Sequence, residues 1–355
     1  MLFSVPVGTP PTATAFNEFR EDETTFNEFT GRFGFDWKPG WFDDSTLYTF
    51  YSRGYKAGGF NPPLDRSLPQ FAGTPEVYDP EFVNAFEVGS KNVLAGGRVQ
   101  ANLTAFYYQY DALQVSKIVA RTSVNENVDA NIYGLEGEFV LSPASDLLID
   151  ANFAYLKTKI KDFSSIDPRD PSNGDPAWTN IKDISDGSNC VLATAALPTA
   201  RSFGLVLPEI VGGPFGFCGT MAANGLPVLD GIAADLDGNS LQGTPEWSVK
   251  VGAQYTFHLG STMNLTARAD YYWRDSFYAR IFNRPIDKID AWDVVNAQVE
   301  LGSASNSWFV RGYVYNLMDD DNITGMYVTD ASSGLFTNVF ALDPRTYGLV
   351  LGFRF

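Results

Sequence analysis

The sequence predicts an all-β fold, an antiparallel transmembrane β-barrel of which about eleven strands are present. Three observations predict it. Apolar and polar residues alternate over stretches of about ten residues or more, the length a tilted strand needs to cross a bilayer. The connections alternate between short and long. No window approaches the roughly 18 to 20 consecutive apolar residues of a membrane-spanning helix. A mean hydropathy of −0.12 is no objection, because a barrel strand is apolar on one face only and its average stays low.

The opening, 2–25, is irregular, and the tail of an earlier strand at Phe3-Ser-Val-Pro is the alternative reading there. Met1-Leu-Phe-Ser-Val-Pro lacks the basic n-region, apolar h-region and cleavage site of a secretory signal. The first clear strand sets Phe29, Phe33, Phe35 and Trp37 against Thr30, Arg32 and Asp36. Less regular strands follow near 46–56, 84–94 and 98–113. Tyr133, Leu135, Phe139 and Leu141 then oppose Glu136 and Glu138, and Leu147, Ile149, Ala151, Phe153 and Tyr155 oppose Asp150 and Asn152.

The clearest segment runs from Trp247 to Leu259. Trp247, Val249, Val251, Ala253, Tyr255, Phe257 and Leu259 alternate with Ser248, Lys250, Gly252, Gln254, Thr256 and His258. Met263, Leu265, Ala267, Ala269, Tyr271 and Trp273 next oppose Asn264, Thr266, Arg268, Asp270, Tyr272 and Arg274. Val295, Ala297, Val299 and Leu301 oppose Asn296, Gln298 and Glu300, and strands near 307–317 and 345–355 complete eleven. A helix would need three-and-four spacing, which these stretches lack.

Short turns fall near 38–45, 95–97, 142–146, 260–262 and 302–306; long connections span roughly 57–83, 114–129, 162–245, 276–289 and 318–343. Counting back from a C-terminus on the short-turn side, every connection falls on its required side. Outer-membrane barrels sort their loops in this way, with short turns in the periplasm and long loops outside. Segment 162–245, rich in Asp, Gly, Pro and Asn, is therefore expected as a long extracellular loop that contacts ligand or gates the pore. Aromatic residues gather near strand ends: Trp37, Trp41 and Phe42, then Tyr271, Tyr272 and Trp273, then Trp308 and Phe309. Rings with a polar edge suit the headgroup level, and the outer-membrane lipid is the expected surround.

A net charge of −17 and a pI near 4.4 exclude nucleic acid as a partner, since polyanions need Lys/Arg-rich surfaces. Cys190 and Cys218 lie together in the long loop, where a disulfide fits an oxidising compartment and two unpaired thiols are the other reading. The single histidine, His258, has no nucleophile placed beside it by motif, so no enzyme is expected. Asp319-Asp-Asp-Asn322 lacks the spacing of an EF-hand loop and reads as a solvated acidic rim rather than a Ca²⁺ site. No cofactor is implied. Arg32, Lys91, Glu136, Glu138, Lys250, Arg268, Asp270, Glu300 and Arg311 are assigned to the wet lumen, because facing lipid at midplane an Arg or Lys would cost about 2–4 kcal/mol.

Tyr51-Ser-Arg-Gly-Tyr-Lys-Ala-Gly-Gly-Phe-Asn-Pro62, Glu87-Val-Gly-Ser-Lys91, Gly134-Leu-Glu-Gly-Glu138, Tyr315-Asn-Leu-Met-Asp319 and the ending Tyr347-Gly-Leu-Val-Leu-Gly-Phe-Arg-Phe355 follow one another in this order. Together they resemble the C-terminal barrel region of TonB-dependent receptors, over essentially the whole chain. The resemblance implies a 22-stranded plugged barrel, of which 1–355 supplies the C-terminal half, with signal peptide and plug domain absent. It implies uptake of a ferric siderophore or similar nutrient, with the TonB complex engaged only through the missing plug region. Arg32, Glu136, Glu138, Arg268, Asp270, Glu300 and Arg311 then become lumen-facing plug contacts. Tyr347, Leu349, Leu351, Phe353 and Phe355 form one face of the closing strand and are similar to the signal read by barrel-assembly machinery. A passive outer-membrane porin and a secreted β-rich adhesin are the alternative readings.

Overall fold

The computed structural model describes residues 23–40, 44–62, 74–119, 122–183, 189–207, 213–329, 331 and 334–354. Its frame is an 11-stranded sheet. The strands are β1 (Gly31–Trp37), β2 (Ser45–Lys56), β3 (Glu81–Leu94), β4 (Val99–Val119), β5 (Thr122–Ala144), β6 (Leu147–Lys161), β7 (Trp247–Leu259), β8 (Met263–Arg274), β9 (Trp292–Ser303), β10 (Trp308–Tyr315) and β11 (Thr346–Phe353). Each is antiparallel to the next, in sequence order. β1 and β11 are edges, each with one neighbour in the sheet among the described residues.

The alternation in the sequence sets which face each residue takes, and the pairing register keeps that face continuous. Arg32 pairs with Ser52, Gly89 with Tyr48 and Thr104, and Glu138 with Asn102 and Asn152. Lys250 lies between Asn152 and Tyr272, and Glu300 between Thr266 and Arg311. All nine predicted lumen charges therefore share one polar face. The other face carries Phe33, Leu47, Val88, Leu103, Leu135, Val251, Val299 and Leu349, and it stays bare: Phe33 is 79% and Leu349 76% exposed. A soluble sheet would bury such a surface beneath a second layer.

The tight turns use the backbone freedom of glycine where the chain must reverse. Gly96 and Gly97 join β3 to β4 with φ of 65° and 88°, and Gly260 joins β7 to β8 with φ of 67°.

All five expected long connections carry paired strands: 57–83 and 276–289 hold short pairs, Gly59–Phe60 with Val77–Tyr78 and Phe277–Tyr278 with Lys288–Ile289, and the other three are more extensively structured. Segment 114–129 is not a loop, because β4 and β5 run on as a hairpin of 21 and 23 residues, about twice what a bilayer crossing needs. A bulge between Tyr110 and Leu113 marks the departure, where Ala112 takes a φ of 57°. The backbone N–H of Ala112 donates to Asp129 (2.8 Å) and its carbonyl accepts from Asn127 (2.8 Å), so the freed ladder groups are satisfied. Segment 318–343 contains the hairpin Ile323–Val328 with Thr337–Ala341. Segment 162–245 folds into a lobe with its own sheet of Phe215–Gly216, Trp178–Asp183, Asn189–Ala193 and Val228–Leu229, and two short helices, α1 (Leu197–Ser202) and α2 (Cys218–Ala223). Ile181, Cys190, Leu192, Ala200, Val206, Cys218 and Met221 form its core.

The proposed girdle divides between the faces. Trp37, Tyr271, Trp273 and Trp308 lie on the apolar face, whereas Tyr272 pairs with Lys250 and Phe309 with Gly302 on the polar one. Trp41, Phe42, Phe355 and the segment around Phe3 lie outside the described residues.

Candidate functional site

The polar face carries three side-chain groups. On β2 to β5, the Tyr48 ring crosses Gly89, where a Cβ would stand 2.6 Å from it, and its hydroxyl donates to Glu87 (2.7 Å) while meeting Thr104 at 2.9 Å. Tyr108 donates to the same carboxylate at 3.2 Å, and Asn102 donates to Glu138 at 3.4 Å. On β6 to β8, Asp150, Gly252 and Asp270 stand abreast in register. Arg268 reaches across the bare Gly252 to Asp150 (2.8 Å) and holds Asp270 through Nε at 2.9 Å; any larger residue at 252 would collide with that pair. Lys250 stands 3.9 Å from Asp270. On β9 and β10, Arg311 grips Glu300 at 2.6 and 2.8 Å.

The predicted lumen charges are thus not equivalent. Arg268 with Asp270 and Glu300 with Arg311 pair within the wall, and Arg32 lies over the Phe50 ring at 3.8 Å. Glu136 and Glu138 are exposed on the open face.

The face opposite holds the rest of the predicted set. Tyr347, Leu349, Leu351 and Phe353 line up with Val314, Gly312, Val310 and Trp308. Tyr347 is 82% exposed on this apolar side.

Above the long-loop end, Cys190 and Cys218 form a disulfide with a Cα–Cα distance of 6.1 Å, joining a strand of the lobe to the start of α2. Asp183 accepts the N–H of Cys218 at 2.6 Å. Burial pushes the Asp230 carboxyl in this lobe up to about 6. Below it lies a group that local sequence patterns do not reveal. Asp167, Arg169 and Asp170 meet Arg280, Arg284 and Asp287, with Asp167 and Asp287 both at 0% side-chain exposure. Burial raises the Asp287 carboxyl, against the pull of Arg280 and Arg169, and lowers the Arg280 guanidinium.

Two chemical candidates resolve into structure. His258 places Nε2 2.8 Å from Asp146 and Nδ1 2.8 Å from Asn264 at the short-turn end. Asp319 is held by Arg345 through the side chain (3.2 Å) and the backbone N–H (3.0 Å), so the acidic run closes a loop.

A bare apolar belt on one face, a continuous polar face on the other and connections sorted by length define a transmembrane β-barrel wall. The family described as "TonB dependent receptor-like, beta-barrel" matches residues 6–317. The chain belongs to the TonB-dependent receptor family, whose members are transporters rather than enzymes and reside in the outer membrane of Gram-negative bacteria.

Solved structures agree on the fold. The ferric yersiniabactin uptake receptor FyuA from Yersinia pestis superposes with a TM-score of 0.58 at 14% identity, covering 91% of this chain and 37% of its own. The siderophore receptor PiuA from Acinetobacter baumannii gives 0.56 at 15% identity, with 91% and 35% covered. The copper transporter OprC gives 0.53 at 14% identity, with 92% and 39% covered. The chain therefore spans a little over a third of the length of these receptors. No curated protein matches the sequence.

Proposed function

We propose that residues 1–355 are the C-terminal half of the barrel of a receptor that imports a ferric siderophore or a similar nutrient with energy delivered through TonB. The carrying observation is the polar face, on which the nine charges from Arg32 to Arg311 share one register with uncharged polar side chains such as Ser52 and Tyr48 on β2 and Asn102 and Thr104 on β4, opposite a bare apolar face. In a plugged receptor such a wall meets a plug domain. Glu136 and Glu138, exposed and without a charged partner among the described residues, are the strongest plug contacts; Arg32, Arg268, Asp270, Glu300 and Arg311 complete the set. The TonB complex acts through that plug. The apolar face meets outer-membrane lipid, and Tyr347, Leu349, Leu351, Phe353 and Phe355 present the barrel-assembly signal. Segment 162–245 is extracellular and guards the entrance.

Strand parity supports the half-barrel reading. In an antiparallel sheet of eleven, β1 and β11 run the same way. A second copy in the same membrane orientation would meet them edge to edge in parallel, which the antiparallel ladders of outer-membrane barrels do not use. Closure calls for edge strands of the opposite direction, as the preceding half of a receptor supplies.

Relatives named for siderophores and for copper leave the nutrient to experiment. The complete receptor, placed in a host stripped of its own siderophore receptors, is expected to restore growth on a ferric siderophore under iron limitation, and only when TonB is present. Growth or bilayer conductance independent of TonB would replace this reading with a porin. Recovery in the aqueous fraction without detergent would replace it with a secreted adhesin.

A further inference from the structure

The loop between β8 and β9 and the lobe between β6 and β7 are interlocked by buried charge. Each gives carboxylates to the arginines of the other. Arg280 pairs with Asp167; Arg284 pairs through Nε with Asp167 (2.8 Å), lies 3.5 Å from Asp170 and donates to Asn173 (2.9 Å). In return, Arg169 of the lobe reaches Asp287 of the loop at 3.0 Å, and Arg280 lies 3.6 Å from the same carboxylate. Three arginines and three aspartates balance without net charge.

The returning end of the lobe is stitched to the same loop. Asn239 donates to the carbonyl of Ile281 (2.9 Å), and Gly243 donates to that of Tyr278 (2.8 Å). Asn283 accepts from the N–H of Ser240 (2.7 Å) and donates to its carbonyl (3.0 Å). A third element joins through Arg169, whose second guanidinium nitrogen donates to Thr337 in the hairpin before β11. The short strand Lys288–Ile289 also touches that hairpin.

We propose that the lobe and the β8–β9 loop form one cap that moves as a unit, with the six-residue charge cluster as its latch and Arg169 as the link to the third loop. The physical ground is that a buried pair cannot be opened alone. Withdrawing an arginine leaves the wholly buried Asp167 or Asp287 charged without its partner, so pairs that share these two carboxylates open together or not at all. The disulfide plays no part in this junction. It braces the far portion of the lobe, and the cap therefore has two fastenings, one covalent within the lobe and one between lobe and loop. The second is the ionic cluster together with the Asn239 and Asn283 hydrogen bonds and the packing of Ile281 and Phe282 in one cluster with Leu236.

Hydrogen exchange on the full chain in its membrane or in detergent distinguishes them. Asp167→Asn is expected to speed amide exchange by at least about tenfold both in 164–175 and in 277–289, leaving β7 unchanged. Replacing both cysteines by serine is expected to speed exchange in 189–229 while 277–289 keeps its protection. An Asp167→Asn effect confined to the lobe would overturn the proposal. Because a lone substitution can prevent folding, the swap Arg169→Asp with Asp287→Arg supplies a second test. The double variant is expected to regain protection in 277–289 that each single variant loses, and a double variant no better than the singles would also overturn it.

Discussion

The wall and the lobe solve opposite packing problems with the same residue types. In the lobe, Ile181, Val191, Leu192 and Met221 have no exposed surface, and a disulfide crosses the structure, as in a small secreted domain. In the wall, residues of the same kind stand bare on one face while charges fill the other. The lobe is built for water and hides its apolar atoms from it. The wall is built for two solvents at once, so its strands carry the contrast within themselves.

That comparison can be broken at the lobe. Leu192→Ala removes a wholly buried side chain and is expected to cost the lobe about 2–5 kcal/mol. Proteolysis should then cut 176–229 readily while the strands stay resistant. Loss of the wall along with the lobe would mean that the two share one core.

The wall offers a matched pair on β6. Ala151 faces outward between Phe139 and Val251, and Ala154 faces inward between Glu136 and Ser248. Ala151→Arg is expected to cost about 2–4 kcal/mol if it lies near midplane, read as lost membrane assembly or lower resistance to urea extraction. Ala154→Arg, beside Glu136, is expected to stay within about 0.5 kcal/mol of the parent.

The smallest effect is one of pH. Burial raises Asp230 to about 6 in the folded lobe, above the 3.8 of an unburied carboxyl. The folded state thus binds the proton more tightly than the unfolded one. Lobe stability falls as pH rises through the window from about 4 to about 6 and is flat above it. Exchange protection in 213–235 should increase on acidification from pH 7 to pH 5, and Asp230→Asn should remove that dependence.

How much of this was legible in the sequence follows from the same division. Where two solvents act on a strand, alternation records them, and the limits of β7 and the face of every predicted lumen charge could be read directly. Beyond the membrane that record fades. The outer part of β5, Thr-Ser-Val-Asn-Glu-Asn-Val-Asp-Ala-Asn, interrupts its one apolar side with Thr122 and Glu126, so its continuation as a strand is not apparent. The buried Val124 and Val128 were the available hint. The lobe was foreseen as a single long loop, since its strands are short and its core residues scattered. The latch left no local trace, for Asp167 and Arg280 stand 113 residues apart. The charges assigned to the lumen do share one face of the sheet, yet the pairing of Arg268 with Asp150 across Gly252 depends on a register between strands separated by the whole lobe.

The central claim, that one face of the sheet meets lipid and the other an aqueous lumen, is tested most directly along β7. Both native cysteines are bonded to each other, so single cysteines placed from Trp247 to Leu259 report alone. In the membrane-embedded protein, a water-soluble thiol reagent should label positions 248, 250, 252, 254, 256 and 258 and spare the odd positions between them, a period of two along the strand. Equal labelling of both sets would contradict the account, because it would mean that water reaches the face assigned to lipid.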